Sequence, residues 1–214
     1  MRRNCDNTVS IFCVIPAKPH AQAKSRLAPV LSPPQRVELS RWLLRRTLRL
    51  ARDAVGSVIV VSRNRALLAD AEAHGAWGLL ETSYGLNLAL TQAADFATQQ
   101  GACGLLVLPT DLPRLTTSDL EAILTSVTES PALSIAPCRH GTGTNALLVR
   151  PPDLIPFAFG PASFDAHSTA ARAAGVEPVV YRAASIAFDL DTPEDWEYGV
   201  KKWGIRCWEL QISD

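Results

Sequence analysis

Short apolar runs alternate with amphipathic stretches along almost the whole chain. The apolar runs are continuously hydrophobic and rich in β-branched residues, which is typical of strands that are covered on both faces. We predict strands over Val9–Ile15, Ser57–Ser62, Gly104–Pro109, Leu133–Pro137, Asn145–Val149, Pro178–Arg182 and Ser185–Leu190.

Between these runs, apolar residues recur at helical spacing, most clearly at Leu44, Leu48, Ala51 and Val55. Strands that alternate with helices predict an α/β fold, here a three-layer α/β/α domain with a mostly parallel central sheet. No repeat or linker divides residues 1–214, so we expect a single domain. We predict helices over Pro34–Val55, Arg65–His74, Leu86–Gln100, Ser118–Glu129, Ala166–Ala174 and Pro193–Trp203.

The amino-acid composition argues against several classes of protein. Lysine plus arginine equals aspartate plus glutamate, at 21 each, and this balance argues against a nucleic-acid-binding protein. No apolar stretch approaches the roughly 20 residues of a membrane span. Arg2 and Arg3 precede an apolar run, but this run leads into a lysine-bearing loop, which favours a first strand over a signal peptide. Scattered cysteines without a C-x-x-C motif predict reduced thiols and a cytoplasmic location: Cys5, Cys13, Cys103, Cys138 and Cys207.

The segment RHGTGTNALLV matches the G-x-G-x-x-G/A spacing of dinucleotide-binding folds through Gly141, Gly143 and Ala146. That fingerprint requires the glycines to lead directly into a helix, whose N-terminus receives the pyrophosphate. Here they lead into the apolar run NALLV, which Pro151 and Pro152 end. The segment is therefore a loop before a strand, and the dinucleotide hypothesis is excluded.

The glycine–threonine loop of this segment and a later segment have groups that could bind a small acid. Thr144 offers a hydroxyl beside accessible backbone amides. Downstream, FGPASFDAH supplies Gly160, Ser163 and His167 around the start of a helix, and helix N-termini attract anions. His167 taken alone is more often a packed or capping residue than a catalytic one.

A cationic loop follows the first strand. In IPAKPHAQAKSRLAP, Lys18, Lys24 and Arg26 supply three cations within nine positions. A loop at the carboxyl end of a strand, with cations and free backbone amides, suits a triphosphate. It is not a Walker A loop, because G-x-x-x-x-G-K-[ST] is absent. On position alone, a merely basic surface loop is an equal alternative.

Acidic residues follow two other predicted strands. Asp111 comes after GLLVLP, and Asp189 and Asp191 lie two apart, so that on an extended segment their carboxylates point the same way. Carboxylates suit Mg²⁺, which predicts a shared metal site, although a capping or turn role for Asp189 and Asp191 is nearly as good an explanation. Thr192 and Asp195 read as the cap and third-position acid of the last helix.

These stretches together resemble the 2-phospholactate, phosphoenolpyruvate and 3-phosphoglycerate guanylyltransferases of coenzyme F-420 biosynthesis. The resemblance covers almost the whole chain and implies a nucleotidyltransferase-type fold, GTP and Mg²⁺ as partners, and release of pyrophosphate. Ser25 stands where Thr is expected, and Thr110 where Ala is usual. Six motifs occur in the family's order: IPAKPHAQAKSRLAPVLSPPQR, YGLNLAL, LPTDLP, GTGTNALL, FGPASFDAH and AFDLDTPEDW.

The resemblance also implies roles for individual residues. An acceptor phosphate is already ionised near neutral pH, so we expect no general base and no proton transfer by His167. The implied roles are metal binding by Asp111, Asp189 and Asp191, acceptor binding by Thr144, Gly160 and Ser163, phosphate binding by Lys18, Lys24 and Arg26, and nucleoside binding by Gly85, Leu86 and Asn87.

Two alternative functions stay open at this point. One is a related nucleotidyltransferase that acts on a sugar phosphate or a molybdopterin, although the short FGPASF segment offers no platform for either. The other is a nucleotide-binding regulatory subunit without catalysis, which the presence of all three aspartates disfavours. The Trp-rich C-terminal region, with Trp196, Trp203 and Trp208, predicts packing of the last helix or a homodimer contact.

Overall fold

The computed structural model describes residues 10–204, which contain seven strands in one sheet. In chain order these are β1 (Ile11–Pro16), β2 (Ser57–Ser62), β3 (Trp77–Leu80), β4 (Gly104–Val107), β5 (Ala132–Pro137), β6 (Thr144–Arg150) and β7 (Val179–Val180). The spatial order is β3-β2-β1-β4-β6-β5-β7. Strand β6 runs antiparallel to both of its neighbours, and every other pair is parallel. The predicted mostly parallel sheet is confirmed.

Helices connect the strands, and several of them begin at a side-chain cap. Thr192 accepts a hydrogen bond from the backbone amide of Asp195, whose carboxylate in turn accepts from the Thr192 amide. This reciprocal cap at the last helix is the one that the sequence predicts. The helices are α1 (Pro33–Val55), α2 (Arg65–Ala73), α3 (Leu86–Gln99), α4 (Thr117–Ser126), α5 (Ser163–Ala173), α6 (Ala184–Ala187) and α7 (Pro193–Trp203).

Successive side chains of the central strands point to opposite faces of the sheet and fill two separate cores. Cys13 and Ile15 of β1 pack with residues of α1, α2 and α4 on one face. Phe12 and Val14 pack with residues of α3 and α5 on the other face. The predicted three-layer α/β/α arrangement is thereby observed, with every core residue of β1 withdrawn from solvent.

A third apolar cluster packs α7 against α1 and the short turns that precede it. Phe188 and Leu190 are buried in this cluster, and Trp196 and Trp203 pack against it. The predicted packing role of these two tryptophans is confirmed, while Trp208 lies outside the described residues. By anchoring the chain on either side of Asp189, the cluster holds the acidic segment in place.

Two predictions of secondary structure are wrong. Ser185–Leu190 is not a strand, because Ala184–Ala187 forms one helical turn and Phe188 only then becomes extended. The carbonyl of Ile186 accepts a hydrogen bond from the Asn145 side chain rather than from a neighbouring strand. Strand β3 was not predicted, since its four residues include Gly78 and lack a β-branched run. The predicted start of the first strand, Val9, lies outside the described residues.

The cysteines depart in part from the expected reduced state. Cys13 and Cys138 are free and buried, whereas Cys103 is disulfide-bonded. Cys5 and Cys207 lie outside the described residues. Over residues 10–204, no helix combines the length and apolar character needed to cross a membrane.

The strand order reverses between β1 and β4, which places a topological switch point at the centre of the sheet. The chain leaves β1 towards β2 on one side, and β4 lies on the other side of β1. Loops that follow the two strands diverge and leave a crevice, where ligands of doubly wound sheets bind. Lys24 follows β1 and Asp111 follows β4, so the fold brings the predicted cations and acids to this crevice.

Candidate active site

A cavity of about 520 Å³ opens at the switch point. Its walls come from the loop after β1, from α1, and from the segments that follow β2, β3 and β4. Its volume lies within the range of small-molecule sites. The residues predicted from the sequence that line it are Lys18, Lys24, Gly85, Leu86, Asp111 and Asp191.

Lys24 joins the two acidic segments. Its ammonium nitrogen donates to Asp191 Oδ1 at 2.9 Å and lies 3.8 Å from Asp111 Oδ2. The Lys24 side chain is only 8% exposed, so these contacts are made largely out of water. The backbone amide of Leu190 donates to the carbonyl of Asp111 at 2.9 Å, which holds the late acidic segment beside β4. Residues separated by most of the chain thus form one charged cluster.

The carboxylates of this cluster carry more negative charge than Lys24 balances. Burial raises the pKa of Asp111, and the charges of Asp191 and Asp189 raise it further against the opposing effect of Lys24. Burial likewise raises the pKa of Asp189, with a contribution from Asp191. Asp189 Oδ1 is buried without a hydrogen-bond partner. A buried carboxylate oxygen without a partner is costly, so this cluster favours a further cation.

The carboxylates are not already assembled as a metal site. Across residues 10–204, no three His, Cys, Asp or Glu side chains are grouped so that they could hold an ion. Asp111 and Asp191 instead face the Lys24 ammonium. The donor set nevertheless suits Mg²⁺, because it consists of carboxylate oxygens and includes the unpartnered Oδ1 of Asp189.

Lys18 and Arg26, the other two residues predicted to bind phosphate, differ in their position relative to the cavity. Lys18 lines the cavity with an exposed side chain. Arg26 lies in the short turn Ser25–Leu27, is exposed, and is absent from the cavity lining. The loop therefore brings Lys18 and Lys24, but not Arg26, to the cavity.

The cavity lining also includes polar residues that the sequence did not predict for the site, among them Arg63, Glu81 and Tyr84. Arg63 Nε lies 3.2 Å from Glu81 Oε2, and the Arg63 guanidinium covers the Tyr84 ring at 4.1 Å from its centroid. Arg63 directly follows β2, a strand that the sequence predicts correctly. Its position at the carboxyl end of that strand is therefore a sequence signal for a place at the crevice. Glu81 follows β3 directly, and without that strand nothing in the sequence placed it at the crevice.

The three residues predicted to bind the nucleoside do not all line the cavity. Gly85 adopts φ +128°, a region that favours glycine, and it lines the cavity with Leu86. The Asn87 side chain binds Phe159 instead, accepting from its backbone amide at 2.8 Å and donating to its carbonyl at 3.2 Å. Asn87 thus ties the segment that lines the cavity to the loop that contains Gly160.

The predicted acceptor residues meet beside this loop. Thr144 begins β6, and Ser163 begins α5 with its amide donating to the carbonyl of Gly160 at 3.2 Å. The amide of Phe164 donates to the carbonyl of Thr142 at 3.1 Å, which joins the start of α5 to the glycine–threonine loop. Gly160 has φ +138°, and a Cβ atom there would meet open space, so its backbone faces an unfilled region.

His167 connects these acceptor segments. Its Nδ1 lies 3.1 Å from Thr144 Oγ1, and its Nε2 accepts from the backbone amide of Ala158 at 3.0 Å. Burial lowers the pKa of His167 to about 4, so the ring is neutral at physiological pH. The structure therefore gives His167 a hydrogen-bonding role on both sides of the acceptor region.

Comparison with known proteins identifies the family. The family described as "Guanylyl transferase CofC like" matches residues 11–198. The chain belongs to this family. The phosphoenolpyruvate guanylyltransferase of Rubrobacter xylanophilus is 44% identical over 87% of this chain and 92% of its own length. The 3-phospho-D-glycerate guanylyltransferase of Colwellia psychrerythraea is 32% identical over 86% and 88%.

Solved structures agree with this assignment at the level of the fold. A candidate nucleotide-diphospho-sugar transferase from Desulfovibrio desulfuricans G20 superposes with a TM-score of 0.72 over 94% of this chain and 93% of its own, at 16% identity. A cytidylyltransferase from Leptospira borgpetersenii gives a TM-score of 0.59 over 94% and 92%, at 12% identity. The nucleotidyltransferase-type fold and the guanylyltransferase class implied by the sequence are confirmed.

Proposed function

We propose that this guanylyltransferase transfers GMP from GTP to the phosphate of a small three-carbon acid and releases pyrophosphate, in coenzyme F-420 biosynthesis. The observation that carries the proposal is the contact of Lys24 with Asp111 and Asp191 at the edge of the 520 Å³ cavity. Phosphoryl transfer between two anions is catalysed mainly by positioning and charge stabilisation, and this cluster supplies both signs of charge.

Phosphoenolpyruvate is the acceptor that we propose first. Relatives named phosphoenolpyruvate guanylyltransferase are 44% and 39% identical to this chain, against 32% for the 3-phospho-D-glycerate enzyme. Enolpyruvyl, lactyl and glyceryl phosphates differ by a double bond or a hydroxyl group. A few side chains near Thr144 and Ser163 would therefore decide among them.

Asp111, Asp189 and Asp191 are the residues that we propose for Mg²⁺. The unpartnered Asp189 Oδ1 supports a cation at this place, and so do the burial and the neighbouring carboxylate charges that raise the pKa of Asp111 and Asp189. When bound, the ion would neutralise negative charge on the triphosphate. Lys24 would then exchange its carboxylate contacts for phosphate oxygens, with Lys18 as the second cation of the cavity.

The acceptor phosphate would attack the α-phosphorus of GTP without help from a general base. A phosphate monoester is already ionised near neutral pH. Both ring nitrogens of His167 are engaged, by Thr144 and Ala158, so neither is positioned to accept a proton from substrate. The chain's contribution is to hold two anions together and to stabilise the departing pyrophosphate.

The acid itself would bind at the start of α5. Ala162 precedes this helix and provides no side-chain cap. The amides of Ser163 and Phe164 already donate to the carbonyls of Gly160 and Thr142, so attraction of an anion here would rest on the positive end of the helix dipole. The Thr144 hydroxyl contacts His167 of the same helix, and a Cβ atom at Gly160, just before that helix, would meet open space. These groups suit a carboxylate or phosphate of a small acid better than the larger surface of a sugar or a pterin.

Pyrophosphate release by the purified chain tests the proposal. GTP, Mg²⁺ and each of the three acids are supplied in turn, and we expect release to depend on an acid and to be fastest with phosphoenolpyruvate. Absence of release with all three acids would overturn the proposal. Asp111→Asn should abolish release while preserving the circular dichroism spectrum. GTP binding without turnover would favour a regulatory subunit instead.

A further inference from the structure

His167 is a completely buried polar residue that contacts two of the segments around the acceptor region. Its exposed fraction is 0%, and its ring stacks edge-on to Phe159 at a centroid distance of 4.8 Å. Nδ1 lies 3.1 Å from Thr144 Oγ1 on β6, and Nε2 lies 3.0 Å from the amide nitrogen of Ala158. The ring is thus fixed from three sides.

The partners of the ring determine where its proton lies. A backbone N–H can only donate, so Nε2 must accept from Ala158 and carry no proton. A neutral imidazole has one N–H, which is therefore on Nδ1. The low pKa that burial gives His167 agrees with the neutral form. Nδ1–H consequently donates to Thr144 Oγ1.

This donation fixes the direction of the Thr144 hydroxyl. Its oxygen accepts from His167, and among residues 10–204 it has no other hydrogen-bond partner. The hydroxyl proton therefore remains available to a group outside the protein. Carboxylate and phosphate oxygens of an acid only accept hydrogen bonds, so a hydroxyl that is obliged to donate recognises them.

Resting on the proposed function, we propose that His167 is a positioning residue that orients the Thr144 hydroxyl as a donor to the acceptor acid and holds the Ala158–Gly160 loop against the same ligand. His167 acts through Thr144 and the loop and does not itself touch substrate. Because the ring is neutral, it orders these donors without adding charge beside the metal and triphosphate.

Two substitutions separate the donor and acceptor functions of the ring. In His167→Asn, the side-chain amide nitrogen occupies the place of Nδ1 and keeps the donor to Thr144. In His167→Gln, the amide oxygen reaches the place of Nε2 and keeps the acceptor for Ala158, while the donor to Thr144 is lost. Thr144→Val removes the hydroxyl, and Thr144→Ser retains it.

The test measures the KM for phosphoenolpyruvate, the KM for GTP and kcat by pyrophosphate release with the full chain. We expect His167→Gln and Thr144→Val to raise the KM for the acid about tenfold and to change the KM for GTP less than twofold, since a lost hydrogen bond to a charged group has about this effect. Thr144→Ser should stay closer to wild type than Thr144→Val, and His167→Asn, which keeps the donor to Thr144 but leaves the Ala158 amide without its acceptor, should raise the KM for the acid less than His167→Gln does. The double variant His167→Gln/Thr144→Val should be no worse than Thr144→Val alone.

Additive effects in the double variant, or equal rises in both KM values, would overturn the proposal, because a general structural role predicts them. If His167→Gln does not fold, the contrast between Thr144→Val and Thr144→Ser remains decisive, and equal KM values for the acid in these two variants contradict the proposal. Failure of the proposed function is distinguishable, since wild type would then release no pyrophosphate with any of the three acids.

Discussion

Asn87 and Phe159 exchange two hydrogen bonds across 72 positions of sequence, one at 2.8 Å and one at 3.2 Å. Gly85 and Leu86, directly before Asn87, line the cavity proposed to hold GTP. Gly160, directly after Phe159, is a candidate acceptor contact. One amide side chain therefore joins the two proposed substrate sites, and we expect a change there to reach both.

Asn87→Leu is predicted to raise the KM values for GTP and for the acid together, each about tenfold. It leaves the amide and carbonyl of Phe159 without partners, which costs about 1–3 kcal/mol and loosens the loop. Thr91→Ala on the same helix removes only a hydroxyl that donates to the Asn87 carbonyl, so it serves as the control. A rise in one KM value alone would show that Asn87 does not couple the sites.

Lys24→Met is predicted to lower kcat about 100-fold at saturating substrates, because it removes a buried cation from the proposed site of phosphoryl transfer. The fold should persist, since the aspartates can still become protonated or bind metal. Lys201→Met, on the exposed surface of α7, is the matched control and should behave as wild type. A Lys24→Met enzyme with unchanged kcat would remove Lys24 from the proposed mechanism.

Removal of divalent metal is predicted to abolish turnover reversibly. EDTA should stop pyrophosphate release, and excess Mg²⁺ should restore it. Asp189→Asn should also weaken Mn²⁺ binding, measured by electron paramagnetic resonance with a non-hydrolysable GTP analogue, because it removes one of the proposed carboxylate ligands. Asp153→Asn changes an exposed carboxylate and provides the comparison. Equal Mn²⁺ affinity in both variants would exclude Asp189 as a ligand.

Acid should destabilise the fold through His167. Its folded pKa of about 4 lies below the ordinary value of 6.5, so between these values the unfolded chain binds a proton that the folded chain does not. The stability contributed by the neutral ring is fully present above pH 6.5 and is lost as the pH falls towards 4. From pH 7 to pH 5, wild type should lose about 2 kcal/mol more than His167→Asn in urea unfolding. Parallel pH profiles would contradict the buried neutral ring.

The sheet was predictable from the sequence where strands are long and continuously apolar. Ser57–Ser62 has the predicted bounds, and α7 has the predicted bounds with its cap. The failures fall where tertiary contacts decide the local structure. Ile186 is buried, and its carbonyl is satisfied by Asn145 from another strand, so an apolar run becomes a helical turn instead of a strand.

Residues of the candidate site could be predicted where they follow a strand that the sequence itself predicts. Asp111 and Lys24 follow strands with clear patterns, and both line the cavity as expected of such positions. Glu81 was missed with its strand. Spacing also could not show that Lys24 lies between the carboxylates, or that Asn87 turns to Phe159, because long-range pairings depend on how loops from distant strands meet.

The reversed direction of β6 separates the two proposed substrate regions along the chain. Because β6 starts where its neighbours end, the hairpin of β5 and β6 brings Thr144 to the same edge of the sheet as the loops after β1 and β4, but from a separate part of the chain. In the proposed function, the segment that would hold the acid therefore comes from a different part of the fold than the loops that would hold the triphosphate.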